Sequence, residues 1–252
     1  MVKALKITIL SLICIALVFF MIAIIKGGFD FTDMKSELIF EKSYELNNIN
    51  LIDVNVKSSD IYIYESDDDN INIKVYGREK DKALVNEDEN TLSIELNNKS
   101  NVCIGFCFGS RKIEIYVPTS YEGEFKIKAT SADIKSDLKT YNDYNIVVTS
   151  GDIELNSAAS LTGKATSGDL EINDINKYIN FKATSGDIEI DNFIVNKNSS
   201  ISVTSGDITI DKCKNAYIDA SAKSGDIEIK NNDRHAEYEL KINTTSGDIE
   251  IN

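Results

Sequence analysis

Ser185-Gly186-Asp187-Ile188-Glu189-Ile190 decides the fold, because the same phrase returns throughout the second half of the chain. Copies stand at Ser150-Gly151-Asp152-Ile153, Ser167-Gly168-Asp169-Leu170, Ser205-Gly206-Asp207-Ile208, Ser224-Gly225-Asp226-Ile227 and Ser246-Gly247-Asp248-Ile249. Looser copies lie upstream at Ser131-Ala132-Asp133-Ile134 and Ser58-Ser59-Asp60-Ile61. From Asp133 onward the aspartates are 19, 17, 18, 20, 19 and 22 residues apart. A fixed period of about 20 residues marks a stacked repeat in which no single unit buries its own apolar face.

The flanking residues show how each unit is built. Before each Ser the second, fourth and sixth positions are mostly apolar, as in Val148, Ile146 and Tyr144, or Ala183, Phe181 and Ile179. After it the third and fifth positions are apolar, as in Ile188 and Ile190, or Ile208 and Ile210. Both arms therefore have the period of two that belongs to strands with one buried face. The parity changes across Gly-Asp, so a bend or bulge absorbs one residue there. Glycine suits that bend because it reaches positive φ and admits close backbone approach. Ser59 and Ala132 take its place in the early copies, so positive φ is not required in every turn. Cys213, six residues after Asp207, falls in the column of Phe193, Ile175 and Ala158 and reads as a core residue.

Upstream, Ile52, Val54 and Val56 precede Ser58, and Phe125, Ile127 and Ala129 precede Ser131. Alternating strands also read at 71–75, 92–96 and 113–117, whereas 67–70 and the charged stretch from Arg78 to Glu89 read as exposed loops. No 3.6-residue apolar period occurs beyond residue 26. The predicted fold is an all-β parallel β-helix or solenoid with about 18–20 residues per coil, right-handed by the general rule for parallel connections, preceded by one transmembrane helix. Residues 41–128 form irregular coils that cap the stack, and 129–252 form the regular array.

Stacking places like residues about 4.8 Å apart. Asp152, Asp169, Asp187, Asp207, Asp226 and Asp248 then form one row, and Glu154, Glu171, Glu189, Glu228 and Glu250 another, broken by Thr209. Two unit charges at that spacing repel by about 0.9 kcal/mol even in bulk water. Turn N–H groups accepted by each Asp, lysines such as Lys164 and Lys182, or calcium between rungs are the candidates for offsetting this.

The net charge is −14. The first 26 residues hold three lysines and no acid, leaving 24 bases against 41 acids, or −17, in the rest. Such a body repels nucleic acid and anionic lipid and favours cations or basic surfaces. Residues 7–25 form an apolar run broken only by Thr8 and Ser11, long enough to span a bilayer. It lacks the cleavage pattern of a signal peptide, so residues 1–26 are expected to be a cytoplasmic tip and a transmembrane signal-anchor helix. Residues 27–40 are a juxtamembrane linker, and 41–252 lie outside the cytoplasm. Lys3 and Lys6 favour that orientation. Cys14 packs in the span. Cys103 and Cys107 are open to a disulfide, to half a metal site without a second pair, or to two small apolar side chains.

The segment Val-Lys-Ser-Ser-Asp-Ile-Tyr-Ile (56–63), Ile-Glu-Ile-Tyr-Val-Pro (113–118) and the Ser-Gly-Asp-Ile array together resemble the bacterial β-strand-repeat family labelled "putative adhesin". The likeness covers residues 45–252 and implies a cell-envelope β-solenoid with an N-terminal membrane anchor. It carries over no catalytic residues. Identical carboxylates at every turn are a poor catalytic site, which gathers unlike groups at one place. His235 sits in a polar stretch. No catalytic, cofactor-binding or metal residues are assigned, and no cofactor is expected. The reading is a non-enzymatic, membrane-anchored surface solenoid with an acidic repeat face, its partner an envelope protein or glycan. The alternatives are an envelope-stress or assembly component that self-associates through an open C-terminal rung at Ile249–Asn252, and a glycan-active enzyme.

Overall fold

A computed structural model describes residues 36–46, 49–78, 80–97 and 111–252. The expected span at 7–25, the tip, most of the linker, Cys14, Cys103 and Cys107 lie outside the described residues. Residues 36–252 form one compact unit. Its first zone holds β1 (Glu37–Glu45), β2 (Leu51–Ser58), β3 (Asp60–Ser66), β4 (Asn70–Gly77), β5 (Lys82–Asp88), β6 (Thr91–Asn97) and β7 (Lys112–Pro118). The array begins with β8 (Glu124–Ser131), β9 (Ile134–Ser136), β10 (Asp143–Ser150), β11 (Ile153–Ser167) and β12 (Leu170–Ser185). It continues with β13 (Ile188–Ile194), β14 (Ser199–Ser205), β15 (Ile208–Lys214) and β16 (Ala216–Ser224). It closes with β17 (Ile227–Ile229), β18 (Tyr238–Ser246) and β19 (Ile249–Ile251). The fold is all-β, one solenoid-like sheet of 19 strands with no helix among the described residues.

Each Ser-Gly-Asp phrase is a corner joining two parallel ladders. Before the corner, β8, β10, the second halves of β11 and β12, and β14 pair in that order, with Ser131, Ser150, Ser167, Ser185 and Ser205 in register. After it, β9, the first halves of β11 and β12, β13 and β15 pair likewise, so Ile134, Ile153, Leu170, Ile188 and Ile208 stack. All five are at most 3% exposed. Ala158, Ile175, Phe193 and Cys213 share one register column, as the spacing requires. Cys213 packs against the core but is only partly buried. Burial raises its thiol pKa to about 11, so it is a poor nucleophile at neutral pH.

Chain order fails at the C-terminal end of the stack. The last rung, β18 and β19, is inserted between β14/β15 and β16/β17. The expected open rung at Ile249–Asn252 is therefore an interior one, and Ile249 and Ile251 are fully buried. The outermost rung is β16/β17. Its inward residues beyond Ile218 are small or partly exposed: Ala220 and Ala222 are half-buried, and Ile227 is 43% exposed. The inserted rung brings Leu240, Ile242, Ile249 and Ile251 instead. Placing the larger side chains inside buries more apolar area, at roughly 25 cal/mol per Å².

The first zone joins the same stack. β2 lies on β8 with Ser58 against Ser131, and β6 lies outside β2. On the other ladder β3 lies on β9, with β7 outside β3. Here parallel stacking ends, because β4 and then β1 add antiparallel to β7, and β5 adds antiparallel to β6. Residues 78–89 are thus not an exposed loop. They contain β5, with Ala83 and Val85 packed on the core, and the buried Asp81 bonded to Arg111 at 2.5 and 3.1 Å. The lysine and acid content of the stretch concealed a strand whose apolar side is narrow.

Candidate interaction surface at the repeat corner

The corner backbone explains the repeat at atomic level. Gly186 has φ of +122°, a conformation that side chains rarely adopt. A Cβ there would stand 2.1 Å from the carbonyl oxygen of Gly168 in the adjoining rung. Both conditions demand glycine, and they recur at Gly168, Gly206, Gly225 and Gly247. Ser59 and Ala132 do not have positive φ, which is why those early corners tolerate a side chain.

The aspartates form a hydrogen-bonded ladder. The backbone N–H of Asp152 donates to the Asp133 carboxylate at 3.1 Å, that of Asp169 to Asp152 at 2.9 Å, and that of Asp187 to Asp169 at 2.8 Å. Asp207 donates to Asp187, Asp248 to Asp207 and Asp226 to Asp248, each at 2.8 Å. At the far end Asp133 donates to Asp60 at 3.2 Å. Every carboxylate but that of Asp226, the last member, thus accepts the N–H of the neighbouring rung rather than one in its own turn. Such charge-assisted bonds offset the repulsion between stacked carboxylates, and Lys164 and Lys182 lie on the other ladder. Among the described residues no three His, Cys, Asp or Glu side chains converge to hold a metal.

Beyond this ladder, the outward face after the corner carries Lys135, Glu154, Glu171, Glu189, Thr209, Glu250 and Glu228 in register. Its ends are partly neutralised: Lys135 meets Glu154 at 2.8 Å, and Lys230 lies 3.7 and 3.6 Å from Glu228 and Glu250. Glu171 and Glu189 are exposed and have no ion pair among the described residues. The outward face before the corner differs in chemistry. Thr130, Thr149, Thr166, Thr184, Thr204 and Thr245 precede the corner serines and are all exposed. Beside them Lys164 and Lys182 are in register and exposed.

Two features escaped the sequence reading. Asn173 donates to Asn156, which donates to the Leu138 carbonyl, tying rungs at the opposite corner. Outward tyrosines also cluster in the first zone: Tyr64 lies 6.2 Å from Tyr62 and 5.2 Å from Tyr116, ring centre to ring centre. Burial first, then the charge of Glu114, pushes Tyr116 up to about 12. Tyr at the outward positions of alternating strands was the signal that would have found this patch. His235 is exposed, as its polar surroundings required.

Residues 49–252 match the Toastrack domain, DUF4097. The chain belongs to the Toastrack family. A solved structure described as a "putative adhesin" from Parabacteroides distasonis aligns with a TM-score of 0.51 at 14% identity, covering 86% of this chain and 99% of that one. One from Bacteroides fragilis, described in the same words, aligns at 0.46 with 16% identity, over 84% and 96% of the two chains. A "putative lipid binding protein" from Parabacteroides distasonis aligns at 0.38 and 14% identity, over 84% and 96%. The first of these supports the fold. No curated protein matches the sequence.

Proposed function

We propose that this Toastrack protein is a non-enzymatic surface scaffold, anchored by residues 7–25 with its solenoid outside the cytoplasm and winding right-handed. It binds a basic envelope protein or a glycan along the carboxylate columns. The observation that carries this reading is the periodicity of the exposed chemistry. Glu154, Glu171 and Glu189 repeat at rung spacing beside the aspartate ladder, a surface suited to many weak contacts with an extended partner. Unlike groups that would polarise and attack a bond are not gathered at the corner. The tyrosine patch adds apolar faces of the kind that stack on sugars.

The test is binding by the full chain displayed on cells, with Glu171→Lys/Glu189→Lys as the comparison. The reading expects an externally added protease to reach the solenoid on intact cells, and the double variant to lose retention of a basic or glycan partner at low salt. Protection from protease on intact cells overturns the surface assignment. Unchanged retention by the double variant overturns the carboxylate face. Turnover of a wall or capsule polysaccharide would replace this reading with the enzymatic one.

A further inference from the structure

The outermost rung, β16/β17, ends the stack with unused hydrogen-bonding groups. Lys230 donates its N–H inward to Ile251, and successive residues of a strand aim their peptide groups at alternate edges. The peptide groups of Glu228 therefore aim at β19, and those of Ile229 at the free edge. On β16 the Asn232 side chain occupies the outer edge at one residue only. It accepts from the Ile218 N–H and donates to the Ile218 carbonyl, each at 2.9 Å, as a neighbouring strand would. By the same alternation Ala220 and Ala222 aim their peptide groups outward, and no described residue pairs with them.

The side chains along this edge are self-complementary. Ser221 on β16 and Ile229 on β17 are the centres of that complementarity. A two-fold axis through Ser221 aligns β16 antiparallel with its own copy, and one that crosses Ile229 does the same for β17. Ala220 then meets Ala222 of the second copy, and Ile229 meets Ile229, as hydrogen-bonded pairs. Asp219 falls opposite Lys223 and Glu228 opposite Lys230. Inward positions meet apolar residues, and outward positions meet opposite charges. On each of the two strands, register, peptide direction and charge agree on the same centre.

We propose that a second copy of this chain docks end to end on β16/β17 about such an axis. The contact is isologous and closes on itself. It extends both ladders and covers Ile227, the inward residue left 43% exposed. Asn232 ends the pairing at Ile218. This docking goes beyond the surface-scaffold reading and does not depend on it, because it uses the free backbone edge of β16/β17, three rungs beyond Glu189.

The axis places Ser221 against Ser221 as a non-hydrogen-bonded pair, with Cα atoms about 4.5 Å apart, within disulfide range. The experiment is mild oxidation of the full chain carrying Ser221→Cys, read on a non-reducing gel against the parent chain and against Thr204→Cys, an exposed position on β14. A covalent dimer specific to Ser221→Cys is expected. Adding Ala222→Pro removes an outward N–H that makes no bond within the chain, so the dimer is lost while the melting curve persists. Asp219→Lys suppresses the dimer, and Asp219→Lys/Lys223→Asp restores it. No dimer above the parent chain, equal dimer from Thr204→Cys, or a dimer indifferent to Ala222→Pro overturns the proposal.

Discussion

The two halves of the solenoid hold their corners by different means. From Gly151 to Gly247 the rungs approach so closely, with φ between +122° and +148°, that only glycine fits. At Ser59 and Ala132 the backbone turns without positive φ, and a buried side chain fills the corner. The regular half is held by repetition: one hydrogen bond, one glycine and one aliphatic column, copied at each rung. The first half relies on individual contacts, such as the Asp81–Arg111 pair and the antiparallel strands β1, β4 and β5. Repetition makes the array intolerant of change at any corner, whereas the first zone concentrates its sensitivity in a few residues.

Substituting the corner glycine is the largest way to break this contrast. Gly186→Ala meets a backbone oxygen at 2.1 Å and a disfavoured φ together, and should cost about 4 kcal/mol. Ala132→Gly should cost only about 0.5–1 kcal/mol, through chain entropy. Urea midpoints at constant m-value measure both, and equal losses would dissolve the distinction. Core truncation sharpens it next. Ile190→Ala, fully buried, should lose about 3 kcal/mol, whereas Ile227→Ala on the outermost rung should lose under about 1 kcal/mol.

The first zone should be the acid-sensitive half. In the folded chain burial raises the Asp81 pKa, but hydrogen bonds from Arg111 and from the Arg78 N–H outweigh it and hold the carboxyl below its ordinary 3.8. That contribution is present above the unfolded pKa and disappears as pH falls through the lower folded one. Asp81→Asn should therefore cost about 2 kcal/mol at neutral pH and flatten the loss of stability below pH 4. Chemical denaturation across pH 2–7 reads this, and a parallel profile for the variant would discount the pair. The smallest effect concerns the ladder: Asp187→Ala removes the acceptor for the Asp207 N–H and should cost about 1 kcal/mol. Asp226, the last member, accepts from no further rung, so Asp226→Ala should fall within about 0.5 kcal/mol of the parent.

Much of this was legible before any coordinates. The alternation around Ser185-Gly186-Asp187 placed Ile188 and Phe181 inside, and the spacing put Cys213 above Phe193. The aspartate row was legible too, but not its bonding, because an Asx-type turn and a rung-to-rung bond call for the same residue. Residues 78–89 were misread as a loop because only two residues of the strand there, Ala83 and Val85, pack on the core, and Leu84 between them is exposed. The tyrosine patch was hidden because alternation distinguishes inward from outward positions without saying which outward neighbours touch.

Rung length and the in-or-out fate of each side chain are local properties, written into every repeat, and the amino-acid order alone determined them. Which rung sits beside which is different. Any Ser-Gly-Asp corner presents the same donors and acceptors to any other, so the repeat carries no address. Tertiary structure assigned the places, putting Leu240, Ile242, Ile249 and Ile251 in the interior and leaving the alanine-rich rung of residues 216–229 at the end, where less apolar surface meets water.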